Sequence, residues 1–228
     1  ADILDIGGES TRPGARAPTV REELARVLPV LRGAVTLGVP VSVDTSEPSV
    51  MREALALGVD IVNDVRALRR PGALELLAAH PSAGVCLMHM KGEPATMQAE
   101  AVYDDVVAEV RDFLQQRVDE VAAAGIARER MAVDPGIGFA KTLDHNLLLL
   151  WRQRELLEIG LPLLVGWSRK GTLGLLTGRP VGERMAASVA AALAAVQRGA
   201  HIVRVHDVAA TVDALKVWRA AETGRMPT

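Results

Sequence analysis

Seven short apolar runs in this chain each lead into a polar or ionisable group, and helical spacing separates one run from the next. The runs lie at residues 3–6, 39–43, 59–62, 85–88, 131–133, 162–165 and 202–205. They are rich in Val, Ile and Leu, as parallel strands covered on both faces are. Helical segments are expected at 21–37, 48–57, 104–124, 143–159, 182–198 and 209–221. In the first, Leu24, Val27, Val30 and Leu31 share a stripe; in the third, Val107, Val110, Phe113 and Leu114 do. Pro48 opens the second, where a first-turn Pro gives up no helical hydrogen bond. Strands alternating with crossover helices predict a parallel α/β protein.

An open doubly wound sheet and a closed barrel both give this alternation, and the polar groups at the strand ends separate them. In order they are Glu9 and Thr11, Asp44, Asn63 and Asp64, His89, Asp134, Ser168 and Lys170, then Arg204 and His206. An open sheet needs such groups only at its switch point. A (β/α)8 barrel brings every strand end to one mouth. The reading is a single TIM-barrel domain over residues 1–228. Seven strands leave that barrel one short, and a unit takes ~30 residues. A first βα unit is therefore expected ahead of Ala1.

Charge and cysteine usage narrow the partners. With 26 basic and 28 acidic residues, the chain has no electrostatic footprint for nucleic acid or an anionic membrane. No apolar run reaches the ~18–20 residues of a membrane span. Met185 to Val196 is the longest candidate, and its Ala-rich composition reads as a helix packed closely on a neighbour. The single Cys86 sits in an apolar run, reads as a structural thiol, and fits a reducing cytoplasm.

The candidate chemistry lies at the strand ends. Arg204 and His206 are two apart on one strand, so they point the same way and make an anion site. Ser168 and Lys170 share a face likewise; Lys170 has the options of a Schiff base, a hydrogen bond, or a pair with Asp134. Gly136-Ile137-Gly138 lacks the third Gly and the following acid of a dinucleotide loop, so a tight turn is expected. Asp44, Asn63 and Asp134 together suit a flat ring edge with alternating N–H and carbonyl groups, because buried carboxylates need donors. A Mg²⁺ site at Asp44 and Asp134 is the competing reading. His89 is either a packed residue or a ligand contact. His80 and His145 are expected at the surface, and His201 at the far end of its strand.

Several stretches, taken in order, resemble the dihydropteroate synthase family. They are Asp5-Ile6-Gly7-Gly8-Glu9-Ser10-Thr11-Arg12-Pro13-Gly14, Val43-Asp44-Thr45, Val62-Asn63-Asp64-Val65, Met88-His89-Met90-Lys91-Gly92, Asp134-Pro135-Gly136-Ile137-Gly138-Phe139, Ser168-Arg169-Lys170 and Arg204-Val205-His206-Asp207. The resemblance implies a barrel of pterin-binding type. It also implies condensation of 6-hydroxymethyl-7,8-dihydropterin diphosphate with 4-aminobenzoate, giving 7,8-dihydropteroate and diphosphate in folate biosynthesis. By motif, Asp44, Asn63, Asp134 and Lys170 hold the pterin, with Met90 and Phe139 also binding substrate. Arg204 stacks on the ring and, with His206, holds diphosphate; these two and Lys170 are the implied catalytic groups. Thr11, Arg12 and Pro13 cover the site and help place aminobenzoate near Ser168 and Lys170, a position for which sulfonamides compete.

The resemblance further implies Mg²⁺, whose Asn ligand stands in a family strand and loop not found in this sequence, so that no metal ligand is expected here. It implies a homodimer through late helices such as 182–198. Gly171 departs from the family, where a side chain that touches aminobenzoate often follows the Ser-Arg-Lys segment. A methyltetrahydrofolate-using methyltransferase, a Schiff-base aldolase and a non-catalytic pterin binder are the alternative readings.

Overall fold

A computed structural model of the chain describes residues 1–11, 15–94 and 96–225. Seven parallel strands follow one another in chain order. They are β1 (Leu4–Gly7), β2 (Val41–Asp44), β3 (Ile61–Asp64), β4 (Gly84–Met88), β5 (Met131–Asp134), β6 (Leu164–Val165) and β7 (Ile202–Val203). β1 to β5 form one sheet and β6 pairs with β7. A single bridge from Val133 to Leu163 joins the two sets. The row runs strictly in sequence, with no strand inserted between neighbours, as a (β/α) barrel requires.

The helices between them are α1 (Val20–Ala34), α2 (Pro48–Ala56), α3 (Ala73–Ala79), α4 (Val106–Ala123), α5 (Leu143–Trp151), α6 (Gly171–Thr177), α7 (Met185–Gln197) and α8 (Val208–Thr223). α1 starts at a capping box, in which the Thr19 hydroxyl accepts from Glu22 N–H and the Glu22 carboxylate accepts from Thr19 N–H. α3 and α6, seven residues each, are absent from the sequence expectation; two turns are too short for a periodic stripe. The helix expected over 143–159 ends at Trp151, and the chain continues as a tighter 3-10 segment, Gln153–Ile159. The helix expected from residue 182 begins at Met185.

The apolar core lies between the strands and the helices. Val43, Val62, Leu87 and Val133 have no exposed surface and pack in one cluster with Leu31, Val50, Met51, Leu77 and Leu114 from the helices. Each such side chain contributes ~1.5–3 kcal/mol of burial. The register aligns Asp44 with Asn63 and Asn63 with Cys86. Alternation therefore turns Asp5, Ser42, Asp44, Asn63, Cys86 and Asp134 to the other, inner face. The strands thus carry their polar groups inward, and residues on both faces are buried, as expected of covered parallel strands.

The histidines away from the mouth keep to the expectation. His80 and His145 are half-buried and bond locally: His80 Nδ1 accepts from Ala83 N–H, and His145 belongs to the cap of α5. His201 keeps its expected place below the mouth, where its Nδ1 accepts from Leu163 N–H.

Candidate active site

At the carboxyl ends of the strands, Arg204 reaches back across the mouth to the start of the row. Its Nε donates to Asp5 Oδ2 at 2.5 Å and its Nη2 to Asp44 Oδ2 at 2.7 Å. Asn63 Nδ2 donates to the same Asp5 oxygen at 3.2 Å. Residues from β1, β2, β3 and the end of β7 thus share one network, though 199 positions separate Asp5 from Arg204. Arg204, expected to face an anion, is turned here onto two carboxylates.

Electrostatics in this cluster follow from burial. Asp44 is pushed up to about 7, first by loss of solvent and then by the Asp5 charge, against the pull of Arg204. Asp134 is raised for the same first reason, opposed chiefly by Lys170. Lys170 is pushed down to about 8, because burial outweighs the pull of Asp134. Asp44 and Lys170 are therefore both poised near neutrality, with Asp134 raised beside them, a pattern common at sites of chemistry.

The loop after β5 is built to hold Asp134. Asp134 Oδ1 accepts from Gly136 N–H at 2.7 Å. Gly136 has φ +68°, and a Cβ there would lie 2.0 Å from the His89 carbonyl oxygen. Only glycine fits the turn. Asn146 Oδ1 accepts from Gly138 N–H at 2.7 Å, tying the loop to α5. Lys170 Nζ donates to the Ile137 carbonyl and stands 4.7 Å over the Phe139 ring. The Gly-x-Gly segment is the expected tight turn, and its function is to seat a carboxylate and a lysine together.

The loops after β6 and β7 are joined side by side. Arg169 takes φ +58°, rare for a residue with a side chain. Its guanidinium grips Asp207 at 3.1 and 2.6 Å, while Ser188 Oγ accepts its N–H. Ser168 Oγ accepts from His206 N–H at 3.1 Å and lies 2.9 Å from His206 Nδ1. Ser168 and His206 are therefore direct neighbours. Thr11 is half-buried in the loop after β1; Arg12 and Pro13 lie outside the described residues.

Other candidates take structural places. Met90 is 1% exposed and packs with Val65, Met88, Met97 and Ala140, a cluster that Phe139 adjoins. Asp64 accepts from Ser46 Oγ, Arg66 N–H and Leu68 N–H, and its parity turns it away from Asn63. His89 is buried, 3.0 Å from Lys141 Nζ and edge-on to Phe113, and burial pushes its imidazole down to about 2. It is a packed, neutral histidine. Cys86 is buried on the inner face, and its thiol is raised by burial.

Sequence reasoning left out Asp5, Lys141 and Arg169. Asp5 had a readable signal: it is a carboxylate inside an apolar run, in step with Gly7 and out of step with Leu4 and Ile6. Arg169 had none, because its backbone conformation and its partner Asp207 are tertiary.

A family profile described as pterin binding enzyme matches residues 1–206. Dihydropteroate synthase of Neisseria meningitidis serogroup B is 57% identical over 225 residues, covering 96% of this chain and 79% of that protein. The structure of Xanthomonas albilineans dihydropteroate synthase with 4-aminobenzoic acid superposes with TM-score 0.92 at 52% identity, covering 98% of this chain and 80% of that one. The Burkholderia cenocepacia enzyme complexed with 7,8-dihydropteroate superposes with TM-score 0.90 at 50% identity, over 98% and 82% of the two chains. On its fold, its inner polar face and these likenesses, the chain belongs to the pterin-binding enzymes, in the dihydropteroate synthase family.

Proposed function

We propose that the inner face condenses 6-hydroxymethyl-7,8-dihydropterin diphosphate with 4-aminobenzoate, and that the residues gathered there divide the work. The observation that carries the proposal is the convergence of Asp44, Asn63, Asp134 and Lys170 below Arg204 at one mouth. A pterin edge offers amino and ring N–H donors beside a carbonyl. Asp44 and Asp134 accept from the donors, and each gains from a partner that offsets its burial. Asn63 supplies both a donor and an acceptor, and Lys170 donates to the carbonyl side of the ring. The ligands named for the Xanthomonas and Burkholderia structures, 4-aminobenzoic acid and 7,8-dihydropteroate, support this choice of substrates.

The reaction needs positioning and charge neutralisation more than a nucleophile. The C–O bond between the pterin methylene and the diphosphate breaks, and its electron pair leaves with the diphosphate. Arg204 and His206 neutralise that leaving group. The aryl amine nitrogen then bonds the methylene carbon and loses one proton. Thr11, Ser168 and Lys170 hold the amine in line, which supplies the rate advantage of proximity. No enzyme-bound covalent intermediate forms.

Mg²⁺ is part of the proposal through the Asn that the family resemblance implies, not through a cluster of acids here. Among the described residues, no group of three or more His, Cys, Asp or Glu is arranged to hold a metal ion. Asp5 and Asp44 take Arg204 instead.

A homodimer is part of the same proposal. Leu175, Leu176, Val181, Met185 and Val217, on or between α6, α7 and α8, are between 51% and 73% exposed, an apolar surface that suits a second copy of the chain. Charged substitutions at Leu175 and Met185 should yield monomers in sedimentation. No described helix is long and apolar enough to cross a membrane; a cytoplasmic setting is proposed on the lone thiol of Cys86.

Calorimetry with 6-hydroxymethyl-7,8-dihydropterin tests the site. Asp134→Ala should abolish binding, and an affinity within twofold of wild type would overturn the assignment.

A further inference from the structure

Asp5 lies inside β1, below the strand ends that carry the proposed substrate contacts, and no role in the reaction has been given to it. Its Oδ2 receives two donors, Arg204 Nε and Asn63 Nδ2. Its Oδ1 is buried without a hydrogen-bond partner. A carboxylate with one orphaned buried oxygen is costly to keep for packing alone. Arg204 meanwhile is shared: Nε rests on Asp5 and Nη2 on Asp44.

This sharing conflicts with substrate entry. Arg204 Nη2 takes up one acceptor site of Asp44, so the guanidinium and a pterin edge compete for this carboxylate. Asp44 is most open to the ring when the guanidinium lets go of it, and Arg204 has to stay close enough to meet the diphosphate. Half of the Arg204 side chain is exposed, so it has room to swing. Asp5 has none: it is in the strand, bonded laterally to Asn63. We infer that Asp5 is a positioning residue that anchors Arg204 through Nε while the other end of the guanidinium passes from Asp44 to the substrate. The same carboxylate sets Asn63 through its amide, so one anchor orders two of the proposed substrate contacts. The inference rests on the dihydropteroate synthase reading of the site.

The anchor also acts on Asp44 at a distance. The charged groups around Asp44 are Asp5 from β1, Glu9 from the following loop, Asp64 from β3, Arg204 from the end of β7 and Lys170 beyond β6. Asp5 is the largest of the acidic contributors that raise Asp44.

A mutant cycle tests the inference. Binding of 6-hydroxymethyl-7,8-dihydropterin is measured by calorimetry in the full-length protein, between the titrations of Asp44 and Lys170. Asp5→Asn keeps the shape and removes the charge. It should weaken binding ~10-fold, because Arg204 then rests on Asp44 alone and competes with the ring. In an Arg204→Ala background the same change should cost less than about twofold, since Arg204 is gone and the amide oxygen introduced at position 5 still accepts from Asn63 Nδ2. The acid limb of binding should move to lower pH in Asp5→Asn. Asp5→Ala goes through the same cycle, so a folding defect in one variant leaves the other to decide.

Unchanged binding in both Asp5 variants overturns the inference and leaves the reading of the site intact. An equal loss with and without Arg204 also overturns it, since that marks a structural role. Wild-type protein that binds no pterin overturns the reading itself, and the inference with it.

Discussion

Asp44 and Lys170 titrate toward each other from opposite ends of the scale, and the window between them defines when the site works. Asp44 offers both oxygens and a full charge to N–H donors when ionised, above about 7. Lys170 donates a charged hydrogen bond only when protonated, below about 8. The pH profile of kcat/KM for the pterin diphosphate should therefore be bell-shaped, with limbs near those two values. Lys170→Ala should lose the alkaline limb and at least ~10-fold in kcat/KM, the worth of one charge-assisted bond. Steady-state kinetics across the range checks both; a flat profile would refute the assignment of these groups. Stability runs the other way for Asp44. Its pKa is higher folded than unfolded, so the folded state binds the extra proton, and that contribution is lost as pH rises through about 7. At this scale the sequence picked out polar groups that the structure places at the strand ends, because a polar group closing an apolar run is visible without coordinates. It missed Asp5, which lies inside a run, while it took Asn63 rather than Asp64 for the site.

The loop after β5 shows the same logic in one element. Its turn is possible only because Gly136 has no side chain to strike the His89 carbonyl. Gly136→Ala should cost about 2–4 kcal/mol in urea unfolding, from a positive φ and a backbone that must move. It should weaken pterin binding as well, since Gly136 N–H orients Asp134. Gly171→Ala is the contrasting case. A Cβ there meets nothing within 4 Å, so stability should stay within ~0.5 kcal/mol. Helix legibility followed length. α1 and α4 carry enough turns to display a stripe, whereas α3 and α6 do not. The break after Trp151 is invisible in the apolar pattern, which continues through Leu156 and Ile159 into the 3-10 segment.

Across the whole molecule, protection should be uneven. β2, β3 and β4 each have a strand on both sides and fully buried outer residues. β6 and β7 are two residues long, and one bridge joins them to β5. Hydrogen exchange should therefore be slowest in β2–β4 and faster in β6–β7, where a bound pterin should add protection by engaging Lys170 and Arg204. Uniform exchange with and without pterin would contradict that picture. The sequence by itself determined the parallel α/β alternation, the order of the strands and most of the groups at their ends, because strand period, helix period and strand length are local properties of the chain. Only the tertiary structure decided which face each polar group takes, that Asp5 belongs with Arg204, and that His89, Asp64 and Met90 turn to packing. Those outcomes depend on register and on contacts between residues up to 199 positions apart, and no local pattern encodes a distance across the barrel mouth.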